Sequence, residues 1–271
     1  MKRNILFTFF LFLAQWSMFN GQCSMARAEE LYIGSFYVTS TEEESLYGDS
    51  GNKWTNRRST ICEMFNFEQP DVLGLQSLTD VQLKFITRGM TNHNAAGDIL
   101  YNKTTLTLDT CGTVEGMPEG STCSWAKFRK GESTFYVFNM CFATNQTVAT
   151  SSSTTLVSAI GQINAEGLPC FVVGDLGVNE TKAAYARINA RYLDTYRKAS
   201  VISAEYGTKS DFDLAANHGS ERYDFVFASK TVTVKAYGQL QYAYFTSESD
   251  GTYKRRLPSA HFPVMAKVTL P

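Results

Sequence analysis

Residues Leu168 to Gly177 read Leu-Pro-Cys-Phe-Val-Val-Gly-Asp-Leu-Gly, an apolar run of β-branched and aromatic residues that stops at a glycine and a carboxylate. A run of this kind suits a strand covered on both faces, so the chain must supply a second layer on each side of that strand. Pro169 marks the start of the strand, and Gly174 lets the backbone turn as it leaves. Asp175 is thereby delivered to the rim of a sheet. Taken alone, that carboxylate reads equally as a catalytic group and as the cap of a turn.

The whole chain has 271 residues, 44% of them hydrophobic, enough for one sizeable core or two small ones. Twenty-five basic side chains against 26 acidic ones leave a net charge of -1, which gives no electrostatic footprint for nucleic-acid binding. Lys2 and Arg3 precede an apolar run from Ile5 through Leu13, and Ala26-Arg27-Ala28 follows. This pattern predicts a signal peptide over residues 1–28, a mature domain over 29–271, and export to the periplasm or the exterior. The alternative is a lipoprotein anchored at Cys23, for which Asn20, Gly21 and Gln22 make a poor lipobox. No later stretch reaches transmembrane length.

Export makes disulfides an expectation. Cys62, Cys111, Cys123, Cys141 and Cys170 remain after the leader, an odd number that leaves one thiol unpaired. Cys111 and Cys123 flank a turn-rich stretch and are the expected pair; Cys141 and Cys170 lie in apolar runs and read as buried thiols. No cysteine or histidine spacing suggests zinc.

In order, strands are predicted at Glu30 to Val38, Asp71 to Gln76, Asp98 to Asn102, Thr105 to Cys111, Ser124 to Phe128, Thr134 to Phe142, Arg222 to Ala228, Thr231 to Tyr237 and Val264 to Leu270. Helices are predicted over Arg57 to Phe67, Thr79 to Arg88, Thr154 to Ile163 and Lys182 to Arg191. Thr147 to Thr155 is a Ser/Thr-rich run, and His93 and His218 sit in Asn- and Gly-rich stretches that read as solvated loops. Strands outnumber helices and several meet by hairpins. The fold class is therefore α/β of the α+β type, with two packed mixed β-sheets flanked by helices.

Seven pieces, in order, resemble the endonuclease/exonuclease/phosphatase superfamily, and its secreted bacterial branch in particular. They are Asp49 to Trp54 with Arg57, Asp71 to Gln76, Trp125 to Phe128, Phe135 to Asn139, Val173 to Asp175, Arg222 to Phe227, and His261 to Val264. The resemblance implies a DNase I-like four-layered sandwich and metal-dependent cleavage of phosphate esters at the strand ends. It also assigns Asp175, Asp224 and His261 as catalytic positions, with Asp224 and His261 forming a carboxylate-histidine pair.

Against that pattern this chain departs at the positions expected to hold the ion. Tyr37 stands where an asparagine is expected, Ser77 where the metal-holding glutamate is expected, and Ala260 where an aspartate is expected. Phosphate-contacting positions are altered too, with Ser121 for an arginine, Cys141 for a histidine and Gly177 for an asparagine. Hard cations need oxygen ligands, preferably charged ones. The expectation is a member that binds no metal cofactor and does not hydrolyse phosphate esters. The alternative is a divergent magnesium- or manganese-dependent phosphoesterase with a rearranged site, recruiting Asp49, Asp98 or Asp211 from loops. A phosphorylated ligand or a cell-surface partner is the partner class implied; Tyr237, Tyr242, Tyr244, Phe245 and Tyr253 are the aromatic residues that would line an interaction patch, although strand-pair packing is the commoner explanation of aromatics at such spacing.

Overall fold

Cys170–Asp175 is a strand buried at every position, as its unbroken apolar character demands. The computed structural model describes residues 29–204, 207–214 and 219–271; the expected leader with Cys23, and His218, lie outside the described residues. The elements run β1 (Glu30–Tyr37), two 3-10 turns (Glu44–Tyr47 and Ser50–Asn52), α1 (Trp54–Glu68), β2 (Val72–Gln76), α2 (Asp80–Gly89), β3 (His93–Ala96) and β4 (Ile99–Asn102). Next come β5 (Thr107–Thr113), β6 (Thr122–Lys130), β7 (Ser133–Cys141), α3 (Gln146–Ile163), β8 (Cys170–Asp175), α4 (Ala183–Asn189), β9 (Leu193–Asp194), α5 (Thr195–Lys198) and β10 (Val201–Ser203). The chain closes with β11 (Asp224–Ala228), β12 (Thr233–Gln239), β13 (Tyr244–Ser247), β14 (Tyr253–Arg256) and β15 (Val264–Thr269).

Thirteen strands form two large mixed sheets, one of seven in the order β10-β12-β15-β1-β2-β4-β3 and one of six in the order β5-β6-β7-β8-β11-β9. The sheets pack face to face through Ile33 and Val72 on one side and Phe128, Phe171, Val173 and Val226 on the other. Because successive side chains of a strand point to opposite faces, the alternate residues Leu73 and Leu75 of β2 pack outward, with Ile61, Met64, Phe65 and Ile86 of α1 and α2. In the same way Val172 of β8 packs outward with Leu156 and Ile160 of α3 and Ile188 of α4. Helices, sheet, sheet, helices is the four-layered sandwich that the sequence leads one to expect. No helix among the described residues is long and apolar enough to cross a membrane.

Local chemistry sets the helix ends. Thr79 and Gln82 form a reciprocal capping box at the start of α2. α1 stops at Gln69, which adopts a left-handed conformation one residue before Pro70. The third helix begins eight residues earlier than its apolar spacing suggests, at Gln146 rather than Thr154. Asn145 caps it by accepting from the backbone of Thr147 and Val148. The hydroxyls of Thr150, Ser152, Ser153 and Thr154 then fold back onto carbonyls three or four residues earlier, so a Ser/Thr-rich run is accommodated in a helix.

Two further expectations are corrected. His93 is not solvated: it lies on β3, buried, with Nε2 2.7 Å from the Pro70 carbonyl oxygen. The five described cysteines are free thiols, so Cys111 and Cys123 are not bridged. In the β5–β6 ladder Cys111 faces Ala126, whereas Cys123 lies opposite Val114, three positions further along β5's direction. An odd offset in a strand pair puts the two side chains on opposite faces, and Cys111 is exposed where Cys123 is buried.

Candidate active site

Strand register assembles the site. β7 and β8 run parallel with Cys141 beside Asp175, and β8 and β11 run antiparallel with Asp224 on the other side of Asp175. Cys141, Asp175 and Asp224 thus form a row across three neighbouring strands. Gly174 makes this row possible. Its φ is +135°, and a Cβ there would sit 1.9 Å from the Met140 carbonyl oxygen, so only glycine lets β8 lie against β7 at this point. Gly177 is required too, with φ +70° and a would-be Cβ 2.4 Å from the Ala143 carbonyl oxygen. The departure from asparagine at 177 therefore has a backbone cause.

From the seven-stranded sheet, parallel pairing places Tyr37 at the end of β1 beside Gln76 at the end of β2, with Ser77 next. The segment before β15 supplies Ala260 and His261. Ala260 N–H donates to Thr39 Oγ1 at 3.1 Å, and His261 forms an isolated backbone bridge with Lys209. His261 Nδ1 lies 2.8 Å from Asp224 Oδ2, and the Tyr37 ring stacks on the imidazole with centroids 4.1 Å apart and planes 15° from parallel. The sequence-derived positions 37, 175, 224 and 261 are consequently joined by direct contacts at one end of the sandwich.

Asp175, Asp224 and His261 are buried, and each brings one potential ligand atom within 4.8 Å of the others. Burial first, and the neighbouring Asp224 charge second, push the Asp175 carboxyl up to about 7. Burial pulls the His261 imidazole down, but the Asp224 carboxylate outweighs it and leaves the ring above its ordinary value. Asp175 can therefore keep its proton to a higher pH than a free carboxyl, and Asp224 holds His261 in one orientation. Oδ1 of Asp224 is buried with no hydrogen-bond partner among the described residues.

One group that sequence reasoning missed is Glu43, in the loop after β1. It accepts from Tyr37 Oη at 2.8 Å and from Ser77 Oγ at 2.5 Å. The only signal for it was a run of three glutamates, residues 42–44, which reads as a solvated loop. A second is Arg57, fully buried. It donates to the carbonyls of Val38, Thr39, Asn52 and Pro258 and pairs with Glu44 at 3.1 Å, pinning the loop that carries Glu43. Lys209 is a third, its ammonium over the Tyr223 ring at 5.2 Å.

Other candidates are placed elsewhere or otherwise engaged. Asp49 is bound to Lys254 and Arg256, each at 2.8 Å, and Arg256 above all holds its carboxyl well below the usual range. Asp98 accepts from Ser124 Oγ and is pushed up by burial. Asp211 sits on a left-handed backbone, with its N–H on the Ala260 carbonyl at 2.8 Å, and its charge is felt by the Tyr47 phenol. Ser121 caps structure rather than pointing at ligand, accepting from Ala143 N–H at 3.0 Å and from Ser152 Oγ at 2.9 Å. The aromatic set does not form one patch: Tyr237 is in the core, Tyr244 is buried on the Gly51 carbonyl, Tyr242 donates to Glu68, and only Phe245 and Tyr253 are well exposed.

No protein-family model matches the chain, and no curated protein does either. Solved structures do. An endonuclease/exonuclease/phosphatase family protein from Bacteroides thetaiotaomicron superposes with a TM-score of 0.82 at 22% identity, over 90% of this chain and 99% of that one. This chain has the endonuclease/exonuclease/phosphatase fold. A mannosyl-6-phosphatase from the same species shares that fold at TM-score 0.79 and 22% identity, covering 88% of this chain and 99% of its own. D. rerio TDP2, in complex with a single-strand DNA product, gives 0.64 at 15% identity, over 89% and 99% respectively. Relatives in fold thus include a phosphatase named as such and a protein captured with a nucleic-acid product.

Proposed function

We propose that this chain is an exported protein of the endonuclease/exonuclease/phosphatase fold that has given up metal-dependent phosphoester hydrolysis and keeps its cleft for binding. The observation that carries the reading is the fate of positions 37 and 77. Where oxygen ligands for a hard cation are expected, a phenol and a serine hydroxyl both donate to the same carboxylate, Glu43. Ala260 has no donor atom on its side chain, and His261 Nδ1 is turned to Asp224. The residues present do not fit a magnesium or manganese ion held in the manner the fold implies, since such ions take oxygen lone pairs and the charge that retains them at 77 is missing.

A second reading has its own observation: Asp175, its carboxyl raised by burial and by Asp224, beside the Asp224–His261 pair, is the composition of an acid-base site. On that reading the protein is a phosphoric ester hydrolase with a rearranged site. The two separate in one experiment. The mature chain and its Tyr37→Asn/Ser77→Glu/Ala260→Asp variant, in a Glu43→Ala background to spare the new glutamate a like-charged neighbour, are screened on phosphomonoesters and phosphodiesters with magnesium or manganese. Turnover only in the restored variant supports a dismantled site, and turnover in the parent overturns it. Export is checked by the N-terminus of the secreted chain, expected at Glu29.

A further inference from the structure

Glu43 occupies an arrangement whose chemistry is the reverse of a cation site. Its Oε1 receives the Tyr37 hydroxyl at 2.8 Å and its Oε2 the Ser77 hydroxyl at 2.5 Å, while the Ser40 N–H is shared between the same Oε2 at 3.3 Å and Ser77 Oγ at 3.2 Å. A glutamate carboxylate at 77 could only accept, whereas the hydroxyls of Tyr37 and Ser77 can each donate one proton, and both direct it to Glu43. Burial, reinforced by the Glu43 charge, raises the Tyr37 phenol far above its ordinary value, so it stays a donor. Ser77 is held in a left-handed conformation, φ +45°, a costly geometry for a residue with a side chain. The Arg57 guanidinium, fully buried and paired with Glu44 at 3.1 Å, lies within electrostatic reach of Glu43 as well. A buried cation within electrostatic reach of converging donors favours an anion on those donors.

We propose that the hydroxyls of Tyr37 and Ser77 with the N–H of Ser40 form a carboxylate-binding site, that Glu43 fills it as an internal stand-in, and that a ligand's carboxylate takes Glu43's place when its loop withdraws. The inference goes beyond the loss of hydrolysis and does not depend on it, because it rests on which atoms carry protons. Its ligand class is a small molecule or chain end bearing a free carboxylate.

The test removes the stand-in. Glu43→Ala in the mature chain is melted in acetate, formate, phosphate and chloride at matched pH and ionic strength. Acetate and formate are expected to raise its Tm by roughly 3 to 6 °C per tenfold increase above the dissociation constant, while chloride does nothing and the parent does not respond. Adding Tyr37→Phe and Ser77→Ala to Glu43→Ala should abolish the gain. Equal responses of parent and variant overturn the proposal, as does a response to phosphate without one to carboxylates. Stabilisation of the parent by manganese that is lost in Glu43→Ala also overturns it, since Glu43 would then be a metal ligand. If Glu43→Ala does not fold unaided, its refolding yield from urea replaces Tm. A yield raised by acetate over chloride, in the variant alone, supports the site; equal yields refute it.

Discussion

Arg57→Met is the perturbation whose size follows most directly from the structure. The guanidinium is fully buried and donates to four backbone carbonyls, at Val38, Thr39, Asn52 and Pro258, and to the Glu44 carboxylate. Methionine replaces the aliphatic stem and its burial, so lost packing contributes little. What is lost is a set of charge-assisted hydrogen bonds and the buried half of an ion pair whose other member, Glu44, is partly exposed. Summing the bonds one by one would overshoot, because Thr39 O keeps a second donor in Gln82 Nε2 at 3.1 Å, and the carbonyls near the loop can rehydrate. Glu44 can be solvated once its partner is gone, so the cost is set by the carbonyls left without a donor, about 1–3 kcal/mol each where they cannot rehydrate, and we take about 4 kcal/mol for the set. For a domain of this size that is a fall in Tm of roughly 8 to 16 °C. In urea the midpoint should fall with the slope unchanged, since the folded state stays as compact. Arg57→Lys, which keeps the charge but loses the fork of donors, should fall between the two. A loss below about 1 kcal/mol for Arg57→Met would mean that the guanidinium does not hold the loop, and the anion-favouring field argued for Glu43 would go with it.

Three other outcomes are expected. Gly177→Asn, which restores the residue the resemblance leads one to expect, should destabilise the fold by about 1–3 kcal/mol, because its Cβ would sit 2.4 Å from the Ala143 carbonyl oxygen; urea denaturation reads the loss, and a neutral result would contradict that close approach. Asp175, raised in the folded state from 3.8 to about 7, binds its proton more tightly folded than unfolded, so stability is fullest below pH 4 and declines as pH rises toward 7. His261, also raised, loses its contribution in the same direction, so Asp175→Asn should flatten part of the decline in a series of melts between pH 4 and 7, and an unchanged profile would refute the assignment. Under native conditions Cys111 should account for the fast phase of thiol labelling, and Cys111→Ser should remove that phase, because Cys62, Cys123 and Cys170 are buried and burial pushes the Cys141 thiol far up.

The sandwich was legible because β2 and β8 are buried on both faces and therefore carry continuous apolar runs, which constrain layers on either side. The positions Asp175, Asp224 and His261 were legible from the motifs around them, and the register shows why they meet. Glu43 was not, since a glutamate in an acidic loop has no local pattern and its role exists only through Tyr37 and Ser77, six and 34 residues away. Arg57 was hidden for a related reason: its partners at Val38 and Pro258 are 19 and 201 residues distant. The start of α3 was obscured because serine and threonine compete with the helical backbone unless a cap such as Asn145 and a buried face recruit them. His93 was misplaced because an Asn- and Gly-rich surrounding reads as loop, whereas its β3 strand is fixed by pairing with β4.

Manganese binding, followed by the loss of the free ion's electron paramagnetic resonance signal on titration with protein, tests the central claim most directly. The account predicts that the parent chain leaves the signal of free manganese unchanged at millimolar ion, while the Tyr37→Asn/Ser77→Glu/Ala260→Asp variant in the Glu43→Ala background binds one equivalent. One equivalent bound tightly by the parent would contradict it.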